Sequence, residues 1–285
     1  MTPWRVWLAA LALSLSGCTV DGLFFNPTPV DDYDFDSGDD PSLDGELTPL
    51  HPSLIDAAHR REGFVETDDG AIHWVFAQRD GASDAILFSH GNTGNIGLYW
   101  DRVERLWELG FHVLVYDYPG YGRSEGTPSE RGVFDAGQAA LEQLAAQPEV
   151  RRIWLYGYSL GGAPTFELAA RSERGEAPVV AGVMTEAAWC SAEDVLQDGA
   201  LVNVPGHFAT DLEMDSCARA AELTETPLFL VHGSEDSVIH VRHMALLQRA
   251  ATGVTVRSEH VDGAGHTDVP LRAADYDAWV QGFLR

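Results

Sequence analysis

Lysine is absent from this chain of 285 residues, and its 18 basic residues are all arginine. That absence excludes Schiff-base chemistry and any nucleotide loop that depends on a lysine. Positive charge is scarce overall, because 44 acidic residues bring the formal net charge to −26. No basic surface exists to displace counterions from phosphates, so nucleic acid is excluded as a partner and polyanionic substrates are disfavoured. Cysteine occurs only at Cys18, Cys190 and Cys217. Nothing in the pattern looks like a metal site. His240 and His243 share a helix face, but no third ligand stands near them, and they read as solvated surface histidines. Long hydrophobic runs are also missing: Val6 to Leu15, broken only by Ser14, spans ten residues, whereas a bilayer-crossing helix needs about 20. What remains is ordinary for a globular protein, with an apolar fraction of 45% and enough length for one large α/β domain.

The first residues read as a targeting segment. Arg5 supplies a minimal positive region before the apolar run, which ends in Leu15-Ser16-Gly17-Cys18. This tetrapeptide resembles the lipobox of bacterial lipoproteins. The resemblance implies a signal peptide over residues 1–17, cleavage before Cys18, and acylation of that cysteine. The plainer alternative is a secretory signal with a chance cysteine, and either reading exports the mature protein. Residues 19–50 carry nine acids and no base, a composition that does not bury a core, so residues 18–60 read as an acidic tether. The cluster Leu23-Phe24-Phe25 is the exception, suited to packing on the domain or sitting near the membrane.

Residues 61–285 read as the folded domain. Gly63 to Thr67 and Ala71 to Gln78 form two strands around Asp68-Asp69-Gly70. Further strands are expected at Ala85–Ser89, Val113–Tyr116, Ile153–Tyr156, Val179–Thr185, Leu228–Val231 and Val254–His260. Helices are expected at Leu98–Leu109, Arg131–Ala146, Ala163–Ala170, Val241–Ala251 and Ala273–Leu284. Apolar strands alternating with helices indicate a mainly parallel sheet covered on both faces. Residues 187–226 lack a clear strand and read as a small cap. With Cys18 assigned to lipid, Cys190 and Cys217 remain. An even remainder in an oxidising compartment suggests a disulfide that staples this cap, against the alternative of two separate buried thiols.

The pattern Gly-x-Ser-x-Gly marks a nucleophile elbow, a strained strand-to-helix turn that presents a serine. It occurs twice. Gly157-Tyr158-Ser159-Leu160-Gly161 follows the apolar strand Ile153–Tyr156 and leads straight into a helix. Gly122-Arg123-Ser124-Glu125-Gly126 has neither a strand before it nor a helix after it. Ser159 is therefore the candidate nucleophile, and Ser124 belongs to a tight loop. A serine needs a general base, and in such a sheet the partners follow in the order serine, acid, histidine. Asp236 lies on the loop after strand Leu228–Val231, and His266 lies in the glycine-flanked loop after strand Val254–His260. Both loops are at carboxyl ends of strands, where open α/β sheets place their chemistry. Glu186, at the end of another strand, is the rival acid, and Glu235 reads as a solvated neighbour. His90 and His232 read as structural hydrogen-bonding residues. The oxyanion hole is expected from the backbone N–H groups of Leu160 and Asn92.

Together, His90-Gly91-Asn92-x-Gly94-Asn95, Asp117-Tyr118-Pro119-Gly120-Tyr121-Gly122-x-Ser124 and Gly126-Thr127-Pro128-Ser129-Glu130 resemble the α/β-hydrolase superfamily. The likeness is to its serine aminopeptidase-like and depalmitoylase-like branch (alpha/beta hydrolase domain-containing proteins 13 and 17). It runs over about residues 63–285 and departs at Pro119, where relatives often carry a polar residue. It implies an α/β-hydrolase fold and an exported serine hydrolase that cleaves a small acyl ester or thioester, without cofactor or metal, attached to a membrane through its lipid. A serine aminopeptidase or amidase, and a non-catalytic surface lipoprotein, are the alternatives.

Overall fold

A computed structural model describes residues 24–199 and 210–285. The expected signal peptide and Cys18 lie outside the described residues. An eight-stranded sheet runs through the domain: β2 (Arg60–Thr67), β3 (Gly70–Ala77), β4 (Asp84–Ser89), β6 (His112–Tyr116), β7 (Arg152–Tyr158), β8 (Val183–Glu186), β9 (Leu228–Gly233) and β10 (Val256–Val261). Their spatial order is β10-β9-β8-β7-β4-β6-β3-β2. All neighbours pair in parallel except β2 with β3 and β3 with β6. Two further short strands, β1 (Asn26–Pro27) and β5 (Thr93–Gly94), pair in parallel apart from this sheet.

Side-chain alternation along the buried strands builds two cores. Leu87, Leu114 and Leu155 face one side, where α2 (Glu130–Ala145), α3 (Gly162–Glu173), α5 (Ser216–Glu222) and α6 (Arg242–Ala250) contribute Leu141, Phe166, Ala220 and Met244. Ile86, Phe88 and Tyr156 face the other side, against Val103 and Leu106 of α1 (Trp100–Glu108) and Val280 of α8 (Tyr276–Phe283). A short helix α4 (Ala192–Gly199) and a single turn α7 (Val269–Arg272) complete the described helices.

Five expectations need correction. Residues 24–60 are not a free tether. Tyr33, Phe35, Leu43 and Ile55 are buried in the second core and Phe24 in the first, each such burial contributing about 1.5–3 kcal/mol. Its backbone is held by acids of α1: Asp101 accepts the N–H of Leu47 and Thr48, and Glu104 accepts the N–H of Leu54 and the hydroxyl of Ser53. The acidic composition concealed this, because the aromatic residues are scattered singly among carboxylates. We call residues 24–59 the strap.

The second correction concerns the strand expected at Val179–Thr185, which begins at Val183 and extends to Glu186. Val179 is 84% exposed, since the chain reaches the sheet only at Ala181, whose N–H donates to Ile153. Third, the final helix expected at Ala273–Leu284 begins only at Tyr276, because Ala273 is extended, and a separate turn, α7, with Pro270 near its start, precedes it. Fourth, of the segment 187–226 read as a small cap, residues 200–209 lie outside the described residues, and α5 packs on α3 and α6 as an ordinary covering helix. His243 differs too: it is fully buried rather than solvated. Its Nδ1 accepts the Cys190 N–H at 3.1 Å, and its Nε2 lies 3.1 Å from Asp198. His240 is exposed as expected. Cys190 and Cys217 form a disulfide with Cα atoms 4.8 Å apart, linking the segment after β8 to the first turn of α5.

Candidate active site

Strand β7 ends in the turn that carries Ser159. Its φ is +53°, a left-handed conformation that a non-glycine residue adopts only under constraint from its surroundings. The flanking glycines are required by close approach: a Cβ on Gly157 would meet Gly161 O and Thr165 Oγ1, and one on Gly161 would collide with Ser89 O. A 3₁₀ turn, Ser159–Gly161, then leads into α3. Leu160 is the second residue of that turn, so its N–H is one of the first-turn donors without an intrahelical acceptor. Ser124, in the other Gly-x-Ser-x-Gly copy, is buried and used structurally. Its Oγ accepts the His73 N–H at 2.9 Å and donates to Asp117 O at 2.8 Å.

The loops after β9 and β10 bring Asp236 and His266 to Ser159. His266 Nε2 is 3.0 Å from Ser159 Oγ, and His266 Nδ1 is 2.8 Å from Asp236 Oδ2. Asp236 Oδ1 accepts the N–H groups of Val238 and Ile239 at 2.8 and 2.9 Å, fixing the carboxylate in its loop. Burial pushes the Asp236 carboxyl up. Hydrogen bonds with His232 and His266, the His266 charge and the Ile239 N–H outweigh this and hold it well below the usual carboxylate range. His232 Nε2 lies 2.8 Å from Ile239 O and 3.3 Å from Asp236 Oδ2, so it ties the loop together. A carboxylate, an imidazole and a hydroxyl in this order form a relay that can remove the hydroxyl proton.

The rival acids are elsewhere. Glu186 is fully buried, 3.0 Å from Arg102 and within 3.0 Å of the hydroxyls of Tyr156 and Tyr276. Glu235 is exposed. His90 is buried, with Nδ1 2.8 Å from Gly91 O and its ring stacked among tyrosines. Asn92 stands on the loop that follows. Its carbonyl accepts the Asn26 N–H and the Tyr121 hydroxyl, and its side-chain amide donates to Phe24 O. The strap thereby holds this loop through β1 and β5.

Ser159, His266 and Asn92 open onto a cavity of about 510 Å³. Its walls are mostly apolar, with Phe24, Leu98, Trp189, Val195, Leu196 and Ile239 among them. Burial pushes the hydroxyls of Tyr99 and Tyr158, also in the wall, well above the usual tyrosine range. Among the described residues of the wall, Glu46 is the one carboxylate. Among the described residues no group of His, Cys, Asp and Glu is arranged to hold a metal ion. No described helix is long and apolar enough to cross a membrane.

A family model described as alpha/beta hydrolase fold matches residues 84–216. An esterase of Pyrococcus furiosus superposes on 92% of this chain and 96% of its own, with TM-score 0.68 and 16% identity. The chain has the α/β-hydrolase fold. Its curated relatives support the branch that the sequence motifs resemble. The uncharacterized protein YfhR of Escherichia coli is 31% identical over 175 residues, covering 60% of this chain and 59% of YfhR. Human alpha/beta hydrolase domain-containing protein 17C is 33% identical over 199 residues, covering 66% of this chain and 54% of that protein. The chain thus spans little more than half the length of the curated relatives it matches.

Sequence reasoning missed Glu46, Arg102 and the aromatic part of the wall beyond Phe24. For Arg102 no sequence signal was present. It sits among Trp100, Asp101, Val103 and Glu104, and all of these are buried. Three charges on the outward side of an amphipathic helix read as solvated; here they are the docking groups for the strap.

Proposed function

We propose that this protein is a serine hydrolase that cleaves carboxylic ester or thioester bonds through an acyl-enzyme. The observation that carries this is the line Ser159–His266–Asp236 at the edge of an apolar cavity. In the proposed reaction His266 Nε2 takes the Ser159 proton as Oγ attacks the carbonyl carbon. The N–H groups of Leu160 and Asn92 receive the oxyanion, and Asp236 holds the imidazole in the tautomer that can accept a proton. The imidazolium then protonates the departing alkoxide or thiolate. Water, deprotonated by His266, attacks the acyl-enzyme, releasing the acid and restoring Ser159. An apolar wall suits an acyl chain, since each buried methylene contributes about 0.8 kcal/mol. The esterase activity of the Pyrococcus furiosus neighbour agrees with this reading.

We also propose, from the lipobox, that Cys18 carries the lipid of an exported, membrane-attached protein. Stable attachment takes two membrane signals, such as two acyl chains. Mass spectrometry of the mature N-terminus checks it, and an unmodified Cys18 would end the proposal. For the activity, purified protein is assayed against esters and thioesters of graded acyl length, beside aminoacyl anilides. Ester or thioester turnover that Ser159→Ala abolishes is the expected result. Preferential cleavage of the anilides would replace this reading with an amidase, and no turnover with no fluorophosphonate labelling would leave a binding protein.

A further inference from the structure

We infer that Glu46 of the strap is a positioning residue for the loop that carries His266, acting through Arg102 and Tyr158. The inference goes beyond the proposed activity, and its chemical meaning rests on that reading. Arg102 is buried, and its guanidinium bonds three elements at once. One nitrogen donates to Glu186 at 3.0 Å; the other lies 3.1 Å from Thr267 O and 3.3 Å from Glu46 Oε2. Thr267 directly follows His266. The guanidinium also stacks on Tyr158, 4.0 Å from its ring centroid. The Tyr158 hydroxyl lies 3.3 Å from His266 O and 3.5 Å from Glu46 Oε1. Two consecutive carbonyls of the histidine loop are therefore held by side chains that Glu46 in turn holds.

Charge gives Glu46 a second effect. One guanidinium stands between two carboxylates, so the cluster is one negative charge in excess. Glu186 is satisfied by Arg102 and two tyrosine hydroxyls on the side away from the cavity. The excess therefore falls on Glu46, whose side chain is 14% exposed and lines the cavity. Burial pushes its carboxyl above the usual range, and Arg102 and then His266 pull it back. The titratable and charged groups facing Glu46 are Arg102 from α1, Tyr99 before α1, Tyr158 and Glu186 from β7 and β8, and His266. Those facing His266 are Asp236, Ser159, Tyr158 and Glu46. A carboxylate on that side favours the imidazolium that each proton transfer creates.

The test uses the full chain with Glu46→Gln and Glu46→Ala, and Asp39→Asn as a strap variant that loses the same charge on an exposed residue. Glutamine retains an oxygen for Arg102 but not the charge. The readouts are the NMR titration of the His266 imidazole, the rate of fluorophosphonate labelling across pH, and the thermal midpoint. Glu46→Gln should move the pH profile of labelling relative to wild type, because a nearby carboxylate favours the imidazolium. Glu46→Ala should in addition slow labelling roughly 10- to 100-fold, the scale of a misplaced catalytic group. Asp39→Asn should do neither. Folded Glu46→Gln and Glu46→Ala variants with an unshifted His266 and wild-type labelling would overturn the inference. A shifted His266 in a protein that never labels would instead refute the hydrolase reading and leave the coupling intact.

Discussion

Replacing Asp236 with asparagine should lower kcat by about 10⁴-fold while the protein stays folded. Asp236 Oδ1 accepts the N–H groups of Val238 and Ile239 at 2.8 and 2.9 Å, and an asparagine carbonyl can keep both. The other oxygen, 2.8 Å from His266 Nδ1, becomes an NH₂ that donates where the carboxylate accepted. His266 then carries its proton on Nε2, facing Ser159, and cannot take another. A loss of 10⁴ corresponds to about 5.5 kcal/mol of barrier. The same substitution has a signature in stability. A carboxyl held below its unfolded value stabilises the fold above the unfolded value, about 3.9 for aspartate, and that contribution fades as pH falls. The asparagine variant should lack this part of the acid-induced loss. Burst titration with a chromogenic ester at pH 8 measures kcat, and thermal unfolding from pH 3 to 7 measures the rest. A folded variant with kcat within tenfold of wild type would refute the assigned role of Asp236.

Ser159→Ala should abolish fluorophosphonate labelling and Ser124→Ala should not; the reverse pattern would transfer the nucleophile to the second motif. Alanine at both Cys190 and Cys217 opens a bridge of sequence separation 27, worth about 3.5 kcal/mol by loop entropy. At roughly 2–4 °C per kcal/mol the melting midpoint should fall by about 7–14 °C. Two titratable thiols in denatured, unreduced protein would show that no bridge forms. Burial pushes the Glu173 carboxyl up, but the N–H groups of Thr226, Glu225 and Thr224 and the Thr224 hydroxyl bring it down from 4.5 to about 2. Its stabilising contribution is complete above pH 4.5 and is lost as pH falls toward 2, so Glu173→Gln should flatten the acid unfolding profile in that window. An unchanged profile would show that these bonds are not kept in solution.

The three relay residues were legible because each stands where local rules are strict. Ser159 needs a glycine two positions away on each side, and Asp236 follows the apolar strand β9, and His266 the edge strand β10, by a few loop residues. The strap was not legible. Its composition argued for solvation, yet Tyr33, Phe35, Leu43 and Ile55 are spaced so that each reaches the core while the carboxylates between them, Glu46 excepted, stay outside. Arg102 was hidden for the complementary reason: only the incoming strap turns an outward helix position into an interior one. Long-range contacts of this kind leave no periodicity in either partner, and that is why the cavity wall emerged only in three dimensions.

The strap also sets a geometry outside the domain. Phe24 forms part of the cavity wall, and six residue steps separate it from Cys18. Fully extended, such a stretch spans at most about 20 Å, roughly half the thickness of a bilayer with its headgroups. With Cys18 lipidated as proposed, Phe24 and the part of the cavity wall it forms stay within about 20 Å of the lipid surface. Encounter with substrate then becomes a search in two dimensions. Molecules resting in the same leaflet would be sampled continuously, and freely diffusing ones would compete at a disadvantage set by their dilution in the surrounding volume.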